Sequence, residues 1–350
     1  MLRLERVCKA WQGFALRDIN MEIDEGEYFV LLGPTGAGKT LLLETIAGFH
    51  RLDSGRILLG NDDISALPPE RRGFGYVPQN YLLFPNMTVR KNIAFGLKTR
   101  RQTEADRKSK TDEIMALFGL ERLADRTPAT LSAGEKQKTA LARVFAITPK
   151  LILLDEPLSS VDIDARRELK DELKRVHRDL HVTIIHVTHD QIEGFSLAER
   201  VGIIRNGQVT QIGDPKQVIV NPRDEHAARL LGYENIYKAD LNMRNGDMSL
   251  VNVGTFTIKV GGIIKNENCK IGIRSEEIVI SREPPDSGDY NVAKGKIVDY
   301  ADLGPMIVVD VDIGLLAKVI VSKRQYLEMQ LGRSDDVWLS FAPESVKILE

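Results

Sequence analysis

Residues 33–40 read Gly33-Pro-Thr-Gly-Ala-Gly-Lys-Thr40 and directly follow the apolar run Tyr28-Phe-Val-Leu-Leu32. A buried strand, a glycine-rich loop and a Lys-Thr pair in this order are typical of a site for a nucleoside triphosphate. Glycines in such a loop allow the backbone angles that turn successive N–H groups toward phosphates. We therefore predict a nucleotide-binding loop at residues 33–40. Its members are Gly33, Pro34, Thr35, Gly36, Ala37, Gly38, Lys39 and Thr40.

The last two residues of this loop have side chains suited to the triphosphate itself. Lys39 is expected to reach the β- and γ-phosphates, and the Thr40 hydroxyl is a ligand for Mg²⁺ at the start of a helix. The predicted cofactors are therefore ATP and Mg²⁺.

Composition narrows the class of protein. The 350 residues are 43% apolar and 28% charged, which is typical of a globular protein with two domains. A net charge of −2 argues against a nucleic-acid partner. No run of about 18 apolar residues and no secretory signal occurs, so a membrane role requires a partner subunit. The two cysteines, Cys8 and Cys269, have no metal-binding spacing and are typical of a reducing compartment.

Patterns along the chain predict two domains, residues 1–232 and 233–350. In the first, buried strands alternate with helices, which indicates an α/β nucleotide-binding fold. Apolar positions at helical spacing predict a helix over Asp162 to Leu180 with Asp162 as its N-cap, and Asn206-Gly207 predicts a two-residue hairpin. From Tyr233 onward, short valine- and isoleucine-rich runs between turn residues predict a small all-β domain.

A pair of carboxylates ends the apolar strand Leu151-Ile-Leu-Leu-Asp-Glu156. Asp155 is expected to hold Mg²⁺, directly or through water, and Glu156 to polarise the water that attacks the γ-phosphate. A strand that merely stops at an acidic turn is the alternative explanation. The phosphate loop earlier in the chain makes the catalytic interpretation the stronger one.

Thr130-Leu-Ser-Ala-Gly-Glu-Lys-Gln-Lys138 resembles the Leu-Ser-Gly-Gly-Gln signature of the ATP-binding cassette (ABC) family. Ser132 with Glu135 is also an ordinary helix capping box, so this segment alone leaves both interpretations open. Ser132 lies 23 residues before Asp155, and this spacing favours membership of the family. The resemblance implies that Ser132 and Gly134 face the γ-phosphate held by a second copy, so two copies close over two ATP molecules.

Three further residues match the family by position. The resemblance implies that Gln79 contacts the metal and the attacking water, and that its neighbours touch a membrane subunit. It also implies that His189, 33 residues beyond Glu156, contacts the γ-phosphate, and that Trp11 stacks on adenine. A core histidine and an ordinary buried tryptophan are the alternatives for the last two.

The sequence departs from the family pattern at three places. Ala133 replaces a signature glycine, and its methyl group is expected to slow closure if the site is tight. Glu135 replaces the usual glutamine, and Lys138 stands where arginine is common. Nothing essential for hydrolysis is missing.

The whole chain resembles the ATPase subunits of importers that receive their substrate from a binding protein, with a C-terminal domain of small oligonucleotide-binding-like (TOBE-type) barrels. This resemblance implies a homodimer, two transmembrane permease subunits, an extracytoplasmic binding protein, and a place in the cytoplasm on the inner face of the membrane. Residues 321–329 and 336–342 look most like the molybdate/tungstate branch. Sulfate, ferric iron, sugar and polyamine remain alternative substrates.

A regulatory role is predicted for the C-terminal domain. Ser322, Lys323 and Arg324 offer a hydroxyl and two cations to a tetrahedral oxyanion, although a polar helix start explains them equally well. An oxyanion bound there would stop import in a replete cell.

Two rival functions are a soluble ABC ATPase, which usually carries two cassettes, and an oxyanion-binding regulator with an inactive cassette.

Overall fold

The computed structural model describes residues 1–99, 103–246, 248–264, 268–285 and 288–349. These residues form two compact units, Met1–Pro215 and Lys216–Glu350. No helix within the described ranges is both long and apolar enough to cross a membrane.

A mainly parallel sheet forms the centre of the first unit, with strand order β10-β9-β3-β8-β7-β6. All neighbouring pairs are parallel except the edge pair of β9 and β10. Its inner strands β3, β7 and β8 are fully buried, as expected for a sheet covered on both faces. A second, antiparallel sheet has the order β2-β1-β4-β5. The strands of this unit are β1 (Leu2–Trp11), β2 (Phe14–Ile23), β3 (Tyr28–Leu32), β4 (Ser54–Leu59), β5 (Asp62–Asp63), β6 (Phe74–Val77), β7 (Leu151–Asp155), β8 (Thr183–Thr188), β9 (Arg200–Arg205) and β10 (Gln208–Gly213).

Helices connect the parallel strands. They are α1 (Lys39–Ala47), α2 (Pro69–Arg72), α3 (Val89–Ala94), α4 (Glu104–Leu117), α5 (Ala133–Ala146), α6 (Ile163–Leu180) and α7 (Gln191–Leu197), with short 3₁₀ turns at Gly96–Thr99, Glu121–Leu123 and Pro128–Thr130. The predicted helix over Asp162 to Leu180 is confirmed: the Asp162 carboxylate accepts a hydrogen bond from the Ala165 amide at 2.9 Å, and Leu169, Leu173 and Val176 are its buried residues.

The predicted Asn206-Gly207 hairpin is also confirmed, and it supports the phosphate loop. Both residues have positive φ, 47° and 75°, which is the requirement of a type I′ turn. The Gly207 amide donates a hydrogen bond to the carbonyl of Ala37 (3.0 Å), and the Gly207 carbonyl accepts one from the Arg17 amide (2.8 Å). This turn therefore joins strand β2 to the loop at residues 33–38.

We expect Gly207→Ala to destabilise the first unit by about 3 kcal/mol. The added Cβ would lie 1.9 Å from the carbonyl oxygen of Ala15, so the turn must move off the loop. Gly119→Ala is the matched control, since Gly119 has φ 62° with open space around it and should lose only about 1 kcal/mol. Urea unfolding of both variants measures the difference, and equal losses would contradict this account.

The second unit contains two antiparallel sheets, with strand orders β13-β12-β11-β14-β20 and β15-β19-β16-β17-β18. Side chains from both, among them Val251, Ile271, Val309 and Leu339, share one apolar core. Its elements are α8 (Pro215–Val220, which begins at the boundary), α9 (Glu225–Leu230), β11 (Asn235–Asn245), β12 (Met248–Val253), β13 (Phe256–Gly261), β14 (Asn268–Ile273), β15 (Val279–Ser281), β16 (Asn291–Asp302), β17 (Met306–Asp312), β18 (Leu316–Ser322), α10 (Lys323–Glu328), β19 (Asp336–Phe341) and β20 (Lys347–Leu349), with 3₁₀ turns at Ser275–Glu277 and Pro343–Ser345.

Contacts group the segment 216–232 with the second unit, although the sequence placed it in the first domain. Tyr233 donates hydrogen bonds to the carbonyls of Ile219 and Val220, and Lys270 on β14 pairs with Glu225 on α9. The helical sequence pattern of these residues suggested the first domain, whereas their contacts are with the second unit. The pattern cannot distinguish the two, because a helix can pack on either neighbour. The domain boundary at 232/233 stays a prediction.

Candidate functional site

The phosphate loop leaves the end of β3 in a conformation that depends on glycine. Gly36 and Gly38 have φ angles of 80° and 100°, and a Cβ on Gly38 would lie 2.5 Å from the ring of Phe14. Within the described residues, no side chain caps α1 and no acidic side chain lies in its first turn. The free N–H groups and the positive end of the helix dipole are therefore available to an anion.

Lys39 is held inside this loop. Its Nζ donates hydrogen bonds to the carbonyls of Gly33 (2.8 Å) and Pro34 (3.1 Å) and lies 3.5 Å from Oε1 of Glu156. Burial lowers the pKa of Lys39, while the Glu156 and Asp155 carboxylates raise it. A cation that is desolvated in this way gains much from a phosphate that replaces the lost water.

Asp155, the last residue of β7, lies next to the first turn of α1. Thr40 Oγ1 donates to its Oδ1 at 2.9 Å, and the Tyr76 hydroxyl donates to its Oδ2 at 3.3 Å. Burial raises the pKa of Asp155, the two hydrogen bonds lower it, and the Glu156 and Glu44 carboxylates raise it further. Such a site favours a cation beside the carboxylate.

Glu156 links the loop to the residue after β8. Its carboxylate lies 3.5 Å from Lys39 Nζ through one oxygen and 3.1 Å from His189 Nδ1 through the other. Its backbone has φ 45°, a left-handed conformation that is uncommon outside glycine. The Val187 carbonyl and the Ser159 hydroxyl hold that conformation by hydrogen bonds with the Glu156 amide and carbonyl. His189 is 52% exposed, so it is not a core histidine.

Among the hydrogen bonds of the described residues, none joins Gln79 to Asp155. Gln79 Nε2 donates to Ser159 Oγ at 3.4 Å, and Ser159 in turn bonds the carbonyl of Glu156. Ser159, Tyr76 and Phe14 are parts of this site that no sequence pattern indicated. Serines and aromatic residues in loops and strands have no spacing pattern of their own, so the folded chain alone reveals them.

Trp11 lies at the end of β1, directly across the hairpin from Phe14. Its indole is partly buried and meets the His50 ring edge to face, with centroids 5.1 Å apart. Because Phe14 packs on Gly38, Trp11 is close to the phosphate loop in the fold. Its role toward adenine stays a prediction.

Ser132 and Gly134 begin α5. Ser132 and Glu135 form both hydrogen bonds of a capping box, so the structural interpretation of this segment is realised. Ser132 is nevertheless exposed, whereas Gly134 is buried against Ala165. No hydrogen bond among the described residues joins Ser132 to Lys39, Asp155 or Glu156.

The predicted oxyanion residues of the second unit all have partners within the chain. Ser322 caps α10 through a capping box with Gln325. Lys323 pairs with Asp302 (2.8 Å), and Arg324 pairs with Glu328 (2.7 Å). These three residues therefore form the polar start of a helix, which was the alternative interpretation. An incoming anion would have to compete with the two carboxylates.

The geometry defines a class: a P-loop ATPase whose nucleotide site lies at the carboxyl edge of a parallel sheet. Comparison with known proteins carries this further. Residues 16–159 match the ABC transporter family and residues 271–349 match the TOBE domain. The chain is 40% identical to the molybdate/tungstate import ATP-binding protein WtpC of Pyrococcus abyssi (99% of this chain, 100% of the relative).

Two more distant similarities agree in class. The spermidine/putrescine import ATP-binding protein PotA of Thermotoga maritima is 35% identical, over 99% of this chain and 97% of the relative. A dimeric ATP-binding cassette solved in a post-hydrolysis state with ADP and Pi has a TM-score of 0.56 and 27% identity, over 61% of this chain and 99% of that one. The chain belongs to the family of ATP-binding subunits of ABC importers. The predicted fold class is thereby confirmed.

The raised pKa of Asp155 leads to a stability prediction. A carboxyl group whose pKa is raised in the folded state lowers the stability of the protein as pH rises. The loss begins near the pKa of the unfolded chain, about 4, and is complete above the pKa of the folded state. We therefore expect Asp155→Asn to raise the free energy of unfolding of the nucleotide-free protein at neutral pH, and this gain should vanish below about pH 4. Chemical unfolding across pH tests this, and a gain independent of pH would contradict it.

Proposed function

We propose that this chain hydrolyses ATP to drive import of molybdate or tungstate. The observation that carries the ATPase part is that one carboxylate, Glu156, lies between Lys39 in the phosphate loop and His189 after β8. This arrangement suits phosphoryl transfer, in which catalysis consists mainly of positioning and charge stabilisation.

Each residue has a defined task in this proposal. Glu156 orients the attacking water and accepts its proton, and its pinned backbone keeps the carboxylate in place. Lys39 and His189 donate hydrogen bonds to the transferred phosphoryl group. Gln79 connects the site to the membrane subunit through Ser159, and Trp11 stacks on adenine.

The oxygen donors around Asp155 fit Mg²⁺, a hard cation that prefers hydroxyl and carboxylate ligands. Thr40 and Asp155, whose oxygens lie 2.9 Å apart, would hold the ion, and Gln79 would reach it after leaving Ser159. When bound, Mg²⁺ neutralises charge on the β- and γ-phosphates.

Two copies complete the active unit in this proposal. Ser132 is exposed at the start of α5, where its hydroxyl and the adjacent amides can meet an anion on a second chain. Closure of the homodimer over two ATP molecules drives two permease subunits, and hydrolysis reopens it. The permease receives substrate from an extracytoplasmic binding protein, and the ATPase works at the cytoplasmic face of the membrane.

The substrate assignment is supported by similarity. The relative named for molybdate/tungstate import aligns over its whole length at 40% identity, and the relative named for polyamine import aligns at 35%. We further propose that the second unit senses the intracellular oxyanion at Ser322, Lys323 and Arg324, with Lys323 released from Asp302.

Uptake by the complete transporter in lipid vesicles tests the assignment. Tungstate or molybdate should accumulate with ATP inside, and sulfate and spermidine should not. Uptake of spermidine instead would show that the substrate assignment is wrong but would not affect the proposed ATPase function.

Millimolar tungstate on the ATPase side should slow hydrolysis in the wild type and not in Lys323→Met. Equal inhibition of both would remove the regulatory site from these residues.

A further inference from the structure

A buried carboxylate lies directly behind the loop that carries His189. Glu193 is the third residue of α7, and its side chain is only 5% exposed. Ionised carboxylates are seldom buried this deeply without polar partners that need them there. The partners of Glu193 are on the strand that leads to His189.

Both chain neighbours of His189 are hydrogen-bonded to Glu193, Thr188 to its carboxylate and Asp190 to its backbone amide. Thr188 Oγ1 donates a hydrogen bond to Glu193 Oε2 at 3.3 Å, and the same hydroxyl accepts one from the Asp190 amide at 3.0 Å. Asp190 Oδ1 accepts from the Glu193 amide at 3.0 Å, which closes a ring of contacts around the turn. The backbone of residues 188–190 is therefore held on both sides of His189.

A fully buried histidine extends the network into the sheet. His186 Nε2 lies 2.7 Å from Glu193 Oε1, although the angle falls short of hydrogen-bond geometry. Its Nδ1 lies 3.0 Å from the hydroxyl of Tyr28 on β3. The imidazole of His186 therefore lies between Glu193 and Tyr28, with one ring nitrogen facing each of them.

Tyr28 connects this network to β3, the strand that precedes the phosphate loop. Burial, and secondarily the Glu193 carboxylate, raise the pKa of Tyr28 well above its ordinary value, so its hydroxyl keeps its proton for donation. Glu193 thus connects three elements: the strand before the loop, the strand before His189, and the helix after it.

His189 itself needs such support. More than half of its side chain is exposed, and its imidazole lies 3.1 Å from Glu156 at the edge of the site. An exposed ring keeps a fixed direction only if the backbone that carries it is fixed. Catalysis requires this, because a displacement of about 1 Å is already enough to lower the rate. Fixing that backbone is what the Glu193 contacts accomplish.

We propose that Glu193, acting through Thr188, is a positioning residue that aims His189 at Glu156 and the γ-phosphate. This inference rests on the proposed role of His189 in ATP hydrolysis. It makes Glu193 a residue that acts on turnover rather than on ATP affinity, because its carboxylate contacts Thr188 and His186 on the strand that leads to His189.

Thr188→Val is the sharpest test, since it removes one hydroxyl and keeps the shape of the side chain. The full chain in the assembled transporter should lose about tenfold in kcat with the KM for ATP unchanged. Thr183→Val is the matched control: Thr183 is buried at the other end of the same strand, where its hydroxyl accepts from the Gly26 amide, and turnover should stay normal.

A double-mutant cycle separates positioning from general damage. In a His189→Ala background, Thr188→Val should change kcat by less than about twofold, because its effect passes through His189. Glu193→Gln, which keeps the shape and one acceptor, should lose less activity than Glu193→Leu. A tenfold loss that persists without His189 would overturn the proposal.

Histidine-selective NMR of the nucleotide-free chain gives a readout independent of hydrolysis. The imidazole signals of His189 should shift or broaden in Thr188→Val and stay unchanged in Thr183→Val. Unchanged signals in both would overturn the positioning role. If His189→Ala alone hydrolyses ATP normally, the proposed catalytic role of His189 fails, and the NMR result still decides whether Glu193 and Thr188 position the ring.

Discussion

Glu156→Gln is expected to bind ATP normally and to lower turnover by about two to four orders of magnitude, the range for loss of a general base. The amide keeps the shape of the side chain and can still contact Lys39 and His189, but it cannot accept the proton of water. Steady-state hydrolysis and nucleotide binding by the same preparation measure the two effects.

Glu27→Gln is the control for this variant. Glu27 is also a buried carboxylate, it pairs with Arg200, and it precedes β3 at the edge of the sheet opposite the phosphate loop. Its turnover should match the wild type. Turnover close to normal in Glu156→Gln would remove the general base from this position.

Lys39→Met is expected to weaken ATP binding by about a hundredfold, since charged hydrogen bonds to phosphate contribute about 1.5–3 kcal/mol each. The nucleotide-free protein should unfold at nearly the same temperature, because the desolvation that lowers the pKa of Lys39 offsets its bonds to the Gly33 and Pro34 carbonyls. Thermal unfolding with and without ATP should show the stabilisation by ATP in the wild type and little of it in the variant.

Lys150→Met serves as its control, because Lys150 is exposed before β7 and outside the loop. It should retain the full thermal stabilisation by ATP. If Lys39→Met retained it too, the ammonium group would have no part in binding the triphosphate.

Local signals predicted the fold well where one short stretch carries the physical requirement. The helix from residue 163 to 180 and the Asn206-Gly207 turn follow from apolar spacing, a capping carboxylate and two positive φ angles. The boundary of the second unit was harder to predict. A helix such as α9 has the same sequence pattern whichever unit it packs on. In the structure it contacts the second unit through the Lys270–Glu225 pair, 45 residues apart in the chain, and the boundary at 232/233 stays a prediction.

In the candidate site, too, some residues were predicted from patterns along the chain and others became known only from the folded structure. Spacing and family resemblance selected Lys39, Asp155, Glu156 and His189, and the fold brings them together because parallel strands end at one edge of the sheet. The role of Gln79 toward the metal stays a prediction, and its amide contacts Ser159 in this structure. That contact depends on a loop geometry that no residue pattern specifies.

The phosphate loop, the carboxylate pair and the class of ATPase could be predicted from the amino-acid sequence, since each depends on residues that are near one another in the chain. The groups that surround them became known only from the folded structure. Tyr76 on Asp155, Phe14 on Gly38, and Glu193 behind His189 all come from the packing of separate elements. Such contacts arise from the folded shape, because desolvation and hydrogen-bond geometry depend on distances in space and not on spacing along the chain.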